Sequence, residues 1–217
     1  MDKTSNDSDW LITVLNQTGL NLEDLRDEIQ FLMWECQFDN SHLSILEVEK
    51  EICKKLIQWS SIKVGSFGSI TAAPSSLPII GSIGASVCTT TVDVAYLIRS
   101  QIELCYAISA VFDTEILEEK LKATTLALID YDENKDVLVD IAKTSFKTFI
   151  NGVASKYLRK GIERVAPDIA QKLMSRMLTR VSAKWVPFLS IPAGAALNIS
   201  DIRKTGNRAI LYFQLNN

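Results

Sequence analysis

The chain has 217 residues, 47% of them apolar and 23% charged, which fits a globular protein with a substantial core and excludes an intrinsically disordered one. Its net charge of −3 conceals a gradient: residues 1–60 carry 5 basic and 12 acidic side chains (net −7), residues 61–140 carry 5 and 11 (net −6), and residues 141–217 carry 13 and 3 (net +10). A basic C-terminal third on an acidic protein calls for either an internal electrostatic match or an anionic partner.

The N-terminus, MDKTSNDSDW, is polar and acidic and lacks the basic start and apolar core of a signal peptide. From there on helical periodicity dominates, with no convincing run of strands. Leu22, Leu25, Ile29, Leu32 and Met33 follow i, i+3, i+4 spacing behind Asn21 as N-cap. Leu43, Leu46, Ile52, Leu56 and Trp59 mark a second amphipathic helix opened by Asp39, Asn40 or Ser41. Residues 64–92 carry no charge and hold Gly65, Gly68, Pro74 and Pro78. The prolines predict a short helix at 64–72, a loop, and a long helix from Pro78 to about Phe112. Asp113, Thr114 and Glu115 read as the cap of the next helix, ending near Asp130. Two or three helices fill 134–185 with a break at Ala166-Pro167, and Pro192 opens a last helix reaching about Gln214. The fold expected is all-α: one multi-helix bundle with long Gly/Ala-rich buried helices. Residues 1–40 form an acidic helical extension to a domain spanning 41–217. Cys36, Cys53, Cys88 and Cys105 contain no CxxC pair and fall in apolar helical patterns, so they read as buried reduced thiols.

A second charge-free stretch, residues 185–200, contains Pro187 and Pro192. A spanning helix needs roughly 20 apolar residues. The first stretch is rich in serine and threonine, and the second is short. Both therefore read first as close-packed core, where small residues let backbones approach. A hairpin that inserts conditionally remains a second reading.

Polar residues punctuate these apolar elements. Arg99 and Glu103, four apart, can pair along one helix face, whereas Asp93 lies about 240° around the helix from Arg99 and needs another partner. Asn198, Asp201 and Thr205 share a face of the last helix. These six residues form either a buried polar clasp that fixes helix register or the lining of a ligand cavity. Lys172, Arg176, Arg180 and Lys184 recur every four residues opposite Leu173, Met177 and Val181, with Lys156, Lys160 and Arg164 repeating the spacing upstream. Such a basic amphipathic helix either contacts anionic headgroups or is a solvated face matched to the acidic helices. Nucleic acid is disfavoured, because the stripe lacks interleaved aromatics and the isoelectric point is near 5.3. The acidic residues Asp130, Asp132, Glu133 and Asp136 read as a solvated turn.

No catalytic motif is recognisable. His42 is the one histidine, and there is no P-loop, GxGxxG or GxSxG. Neither a cofactor nor a metal site is expected. The segment Ala73-Pro74 to Pro78, then Asp93 and Gln101, resembles the EcsC family of bacterial proteins. So does the run IPAGAALN (191–198) followed by Thr205, Gly206, Ala209 and the pair Tyr212-Phe213. The similarity covers roughly residues 45–215; Phe112-Asp113 departs from the Tyr-Gly pair usual there. It implies a helical protein, named from the operon of a bacterial ABC transporter, with some membrane association and no carried-over catalytic residues. The function expected is therefore a non-enzymatic, membrane-peripheral or lipid-binding accessory protein. It would be cytoplasmic and peripheral at the inner membrane face, with an anionic lipid surface or a membrane protein as partner. Alternatives are a pore-forming protein kept soluble by its N-terminal helices and a soluble protein-binding adaptor.

Overall fold

The computed structural model describes residues 10–16, 21–67, 89–112, 116–131, 143–182 and 190–215. Among them the chain forms eight helices and no strand. These are α1 (Trp10–Asn16), α2 (Leu22–Asp39), α3 (Ile45–Phe67), α4 (Thr89–Val111), α5 (Glu118–Asp130), α6 (Lys143–Lys160), α7 (Ile162–Ser182) and α8 (Ser190–Gln214).

Central to the packing is α4, which touches α1, α2, α3, α5, α7 and α8. Its Leu97, Ile98, Ile102, Leu104, Cys105 and Ile108 are fully buried, and the apolar residues point all round the helix because it has neighbours on nearly every side. Val94–Val111 has the length and composition of a membrane span, yet 83% of it is buried inside the protein. The demands of a core helix account for its apolarity.

The most extensive helix pair is α3 against α8, and it rests on two glycines. A Cβ at Gly206 of α8 would stand 2.6 Å from Ile57 Cγ1 of α3 and 3.1 Å from Leu104 Cδ2 of α4. A Cβ at Gly65 of α3 would stand 2.9 Å from Ile199 Cδ1 of α8. Each helix thus receives the other's isoleucine where it has no side chain. The pairings 57 with 206 and 65 with 199 run in opposite directions along the two helices, which fixes an antiparallel register.

Several boundaries differ from those expected. Helix α3 begins at Ile45, not at 39–41, because Ser44 caps it: its carbonyl accepts from the Glu47 and Val48 amides, and its own amide and hydroxyl donate to Glu47 Oε2 at 2.8 and 2.7 Å, the carboxylate half of a capping box. It continues through Gly65 to Phe67, so no separate helix starts at 64. The expected Pro78 helix start and the Asp113–Glu115 cap lie outside the described residues. The break placed at Ala166-Pro167 occurs instead at Gly161, whose φ of +84° ends α6 in the left-handed region. Its carbonyl then accepts from the amides of Arg164 and Val165 to start α7. Pro167 sits inside α7. The Asn21 cap is as expected, with its side chain accepting from the Glu23 amide at 3.0 Å.

The N-terminal helices share the common core. At seven residues α1 is too short to persist alone. It is held by Trp10, Leu11, Val14 and Leu15, all buried, against α4 and α7. Removal of residues 1–40 would therefore uncover core surface rather than release a detachable cover.

Gly206→Ala is expected to destabilise the protein by about 1–2 kcal/mol, overpacking outweighing the helix propensity gained. In an Ile57→Ala background, where the closest clash is gone and only the Leu104 Cδ2 end must give by a few tenths of an ångström, the same substitution should stabilise; urea unfolding of the four proteins checks the sign change. The Ser44 amide and hydroxyl hold the Glu47 carboxyl below its ordinary value. A carboxylate with a lowered native pKa contributes stability above its unfolded value, and that contribution is lost as pH falls through the native one. The melting-temperature gap between wild type and Glu47→Ala should therefore be open at neutral pH and close as pH falls below about 4.5.

Candidate functional site

The chain's strongest electrostatic feature, its basic C-terminal third, is partly consumed inside the fold. Asp130 ends α5, where the helix dipole disfavours a carboxylate. The fold supplies the cations that position needs. Lys172 Nζ lies 2.7 Å from Asp130 Oδ1 and Arg176 Nη2 lies 3.3 Å from it. The Tyr157 hydroxyl donates to Oδ2 at 3.0 Å. The end carbonyls that an α-helix leaves open are met from the same side. Arg176 donates to the Asp130 carbonyl at 2.7 Å and Arg208 to the Tyr131 carbonyl at 3.1 Å. The Arg208 guanidinium also stacks 5.0 Å over the Tyr131 ring, whose faces and edges meet Phe146 and Phe149. Helices α6, α7 and α8 are thus joined at one helix end. Asp130 is not part of a solvated turn; its side chain is 12% exposed.

Lys172 and Arg176 are accordingly matched internally, and their charges are not available in full to an outside anion. The Arg180 side chain and the whole of Lys184 lie outside the described residues. Exposed cations without an ion-pair partner include Lys50, Lys120, Arg203 and Lys204, but the densest group among the described residues is Lys156, Arg159 and Lys160 on the last turns of α6 with Arg164 on the first turn of α7. They bracket the Gly161 turn, with Glu163 the one carboxylate in the same stretch. Leu158 is partly exposed among them. Arg159 and Lys160 also complement the C-terminal dipole of α6, which is reason enough for cations there; four together exceed that need.

The six residues of the expected clasp do not form one group. Arg99 Nε donates to Glu103 Oε1 at 2.7 Å, and Lys63 of α3 reaches Glu103 Oε2 at 2.9 Å. This network is partly exposed and ties α3 to α4. On another face of α4, Gln101 Nε2 donates to Thr205 Oγ1 of α8 at 3.0 Å, fully buried. Asn198 and Asp201 are half-buried along α8. The Asp93 side chain lies outside the described residues. Gln101, the true buried partner of Thr205, is a helix-interior amide whose role only the tertiary pairing reveals.

The chemistry available is limited. Cys36, Cys53 and Cys105 are free and buried, and burial pushes the Cys53 and Cys105 thiols up to about 12, far from thiolate reactivity. Among the described residues no three His, Cys, Asp or Glu side chains converge on a point that could hold a metal. What this arrangement can do is present charge: a cationic corner at the α6–α7 turn, held rigidly by the Asp130 node behind it. No family model, no curated protein and no solved structure matches the chain.

Asp130→Asn removes the charge while keeping the shape, leaving Lys172 and Arg176 without their carboxylate. It should cost on the order of 2 kcal/mol. A fall in the urea midpoint with an unchanged slope is the expected readout.

Proposed function

We propose that this protein is a non-enzymatic, peripheral helical adaptor that docks reversibly on an anionic surface, of which a lipid bilayer is the leading candidate, through the α6–α7 corner. The observation that carries the reading is the cluster of Lys156, Arg159, Lys160 and Arg164, exposed and unmatched where neighbouring cations are neutralised by Asp130. Cations clustered on a rigid corner act together on a negatively charged surface, and each adds to the binding within a Debye length. The resemblance to the EcsC family, with its membrane association, points the same way. The stripe at 172–184 first singled out in the sequence contributes less to this reading, because half of it faces Asp130.

The contact is of the weak, salt-dependent kind. Little apolar surface accompanies the charge, Leu158 being exposed and Ile162 half-buried within the corner itself. Such a corner touches headgroups without deep insertion. That suits a protein which arrives at a surface, holds something there and leaves again.

Cosedimentation with vesicles tests the reading. The protein should bind vesicles containing phosphatidylglycerol and not pure phosphatidylcholine, and binding should fall as salt rises. Lys156→Gln/Arg159→Gln/Lys160→Gln should weaken it roughly 100-fold at low ionic strength. Wild type that ignores anionic vesicles, or a triple variant that binds them undiminished, would remove this function.

A further inference from the structure

Helix α2 turns Ile29 and Cys36 into the core, with Leu25, Leu32 and Met33 beside them. That leaves Phe31, Trp34 and Phe38 pointing outward, 60%, 62% and 73% exposed. They are not scattered. Trp34 stacks on Phe38 with ring centroids 5.6 Å apart and meets Phe31 at 6.1 Å. The spacing i, i+3, i+7 makes one continuous ridge along the helix. Large side chains at this exposure leave roughly 300–500 Å² of aromatic surface in water, the size of patch that marks an interaction site on a monomer.

The ridge has a charged border. Glu28, Glu35 and Asp39, at i, i+7 and i+11, run parallel to it about 80–100° around the helix. All three are exposed and none has an ion-pair partner among the described residues. Helix α2 as a whole carries six carboxylates against Arg26. This combination selects among occupants. An anionic membrane is repelled by the carboxylate row. A second copy laying ridge on ridge brings two strongly acidic helices together. The chain's own basic helix, α6, is a poor fit: its exposed apolar residues Phe149 and Leu158 lie on opposite sides of the helix, about 180° apart. It offers no seam to lie along three aromatic rings.

We propose that the outer face of α2 is the docking surface for a cationic amphipathic helix of a partner protein. The partner's apolar residues, at i, i+3, i+4 and i+7, pack along Phe31, Trp34 and Phe38. Its Lys or Arg residues lie against Glu28, Glu35 and Asp39. Aromatic anchors supply the affinity and the carboxylate row sets the orientation and excludes acidic competitors.

The test uses the full chain and two synthetic 18-residue helices with leucine at i, i+3, i+4 and i+7, one with lysine and the other with glutamate at the remaining positions. By calorimetry the lysine peptide should bind and the glutamate peptide should not. Phe31→Ala/Trp34→Ala/Phe38→Ala should weaken lysine-peptide binding at least 10-fold. Circular dichroism and a melting temperature close to wild type should show that the exposed substitutions leave the fold intact. Glu28→Lys/Glu35→Lys/Asp39→Lys should transfer the preference to the glutamate peptide. Lys156→Gln/Arg159→Gln/Lys160→Gln should bind the lysine peptide as wild type does, which separates this surface from the corner proposed for anionic contact. The proposal is overturned if the triple alanine variant binds the lysine peptide as tightly as wild type. It is equally overturned if sedimentation shows self-association that the alanine variant abolishes, making a second copy the occupant. Flotation with phosphatidylcholine vesicles that depends on the three aromatics would assign the ridge to a membrane instead.

Discussion

The antiparallel contact of α3 with α8 is the constraint on which the rest of the bundle depends. Ile57 occupies the space over Gly206 and Ile199 the space over Gly65. Each close approach seats an isoleucine of one helix over a glycine of the other, and two such places along one helix pair admit a single register. That register sets Thr205, the residue next to Gly206, opposite Gln101 on α4, where the buried hydrogen bond forms. A slip of one residue would leave an amide and a hydroxyl buried without each other, at a cost greater than their bond contributes when made. The glycines therefore set the distance, and the Gln101–Thr205 bond discriminates against alternative alignments.

At the end of α5 the fold solves an electrostatic difficulty. An aspartate at the C-terminus of α5 sits on the wrong end of the helix dipole. In isolation Asp130 would weaken the helix it terminates. In the bundle it becomes the point where Lys172, Arg176 and Tyr157 converge, while Arg176 and Arg208 close the free carbonyls beside it. The charge gradient along the sequence is thus partly an internal match, made residue by residue across helices that are distant in the chain. It is also incomplete, and the densest unmatched group lies around the Gly161 turn, where Lys156, Arg159, Lys160 and Arg164 are exposed.

How much of this is legible in the sequence follows from the range of the physics involved. The helical class, the Asn21 cap, the end of α5 at Asp130 and the span of α8 are written in periodicity and local capping chemistry, and they can be read directly. So can the Arg99–Glu103 pair, which depends on a spacing of four. The Ser44–Glu47 contact is equally local; earlier Asp and Asn residues compete for the same role, and the two bonds from Ser44 to the Glu47 carboxylate decide it. At 161–167 a glycine and a proline both offer a break; the chain turns at Gly161 with its left-handed φ, and α7 carries Pro167 in its interior. What local chemistry does not contain is partnership. Nothing near Asp130 in sequence announces Lys172, and nothing near Thr205 announces Gln101. Phe31, Trp34 and Phe38 look like any other apolar residues of α2 until the core claims Ile29 and Cys36 and leaves them outside.

The fold therefore presents two surfaces of opposite character, and their separation follows from how each helix meets the core. Helix α2 uses one face for burial and has an acidic, aromatic face left over; α6 and α7 spend part of their positive charge on α5 and keep the remainder at their shared turn. Neither surface has an internal purpose that exhausts it. The dipole of α6 needs a cation or two, not four, and the core needs none of the three aromatics. The cations at 156–164 and the aromatics of α2, collected on two oppositely charged faces of one bundle, are the features on which the two proposed contacts rest.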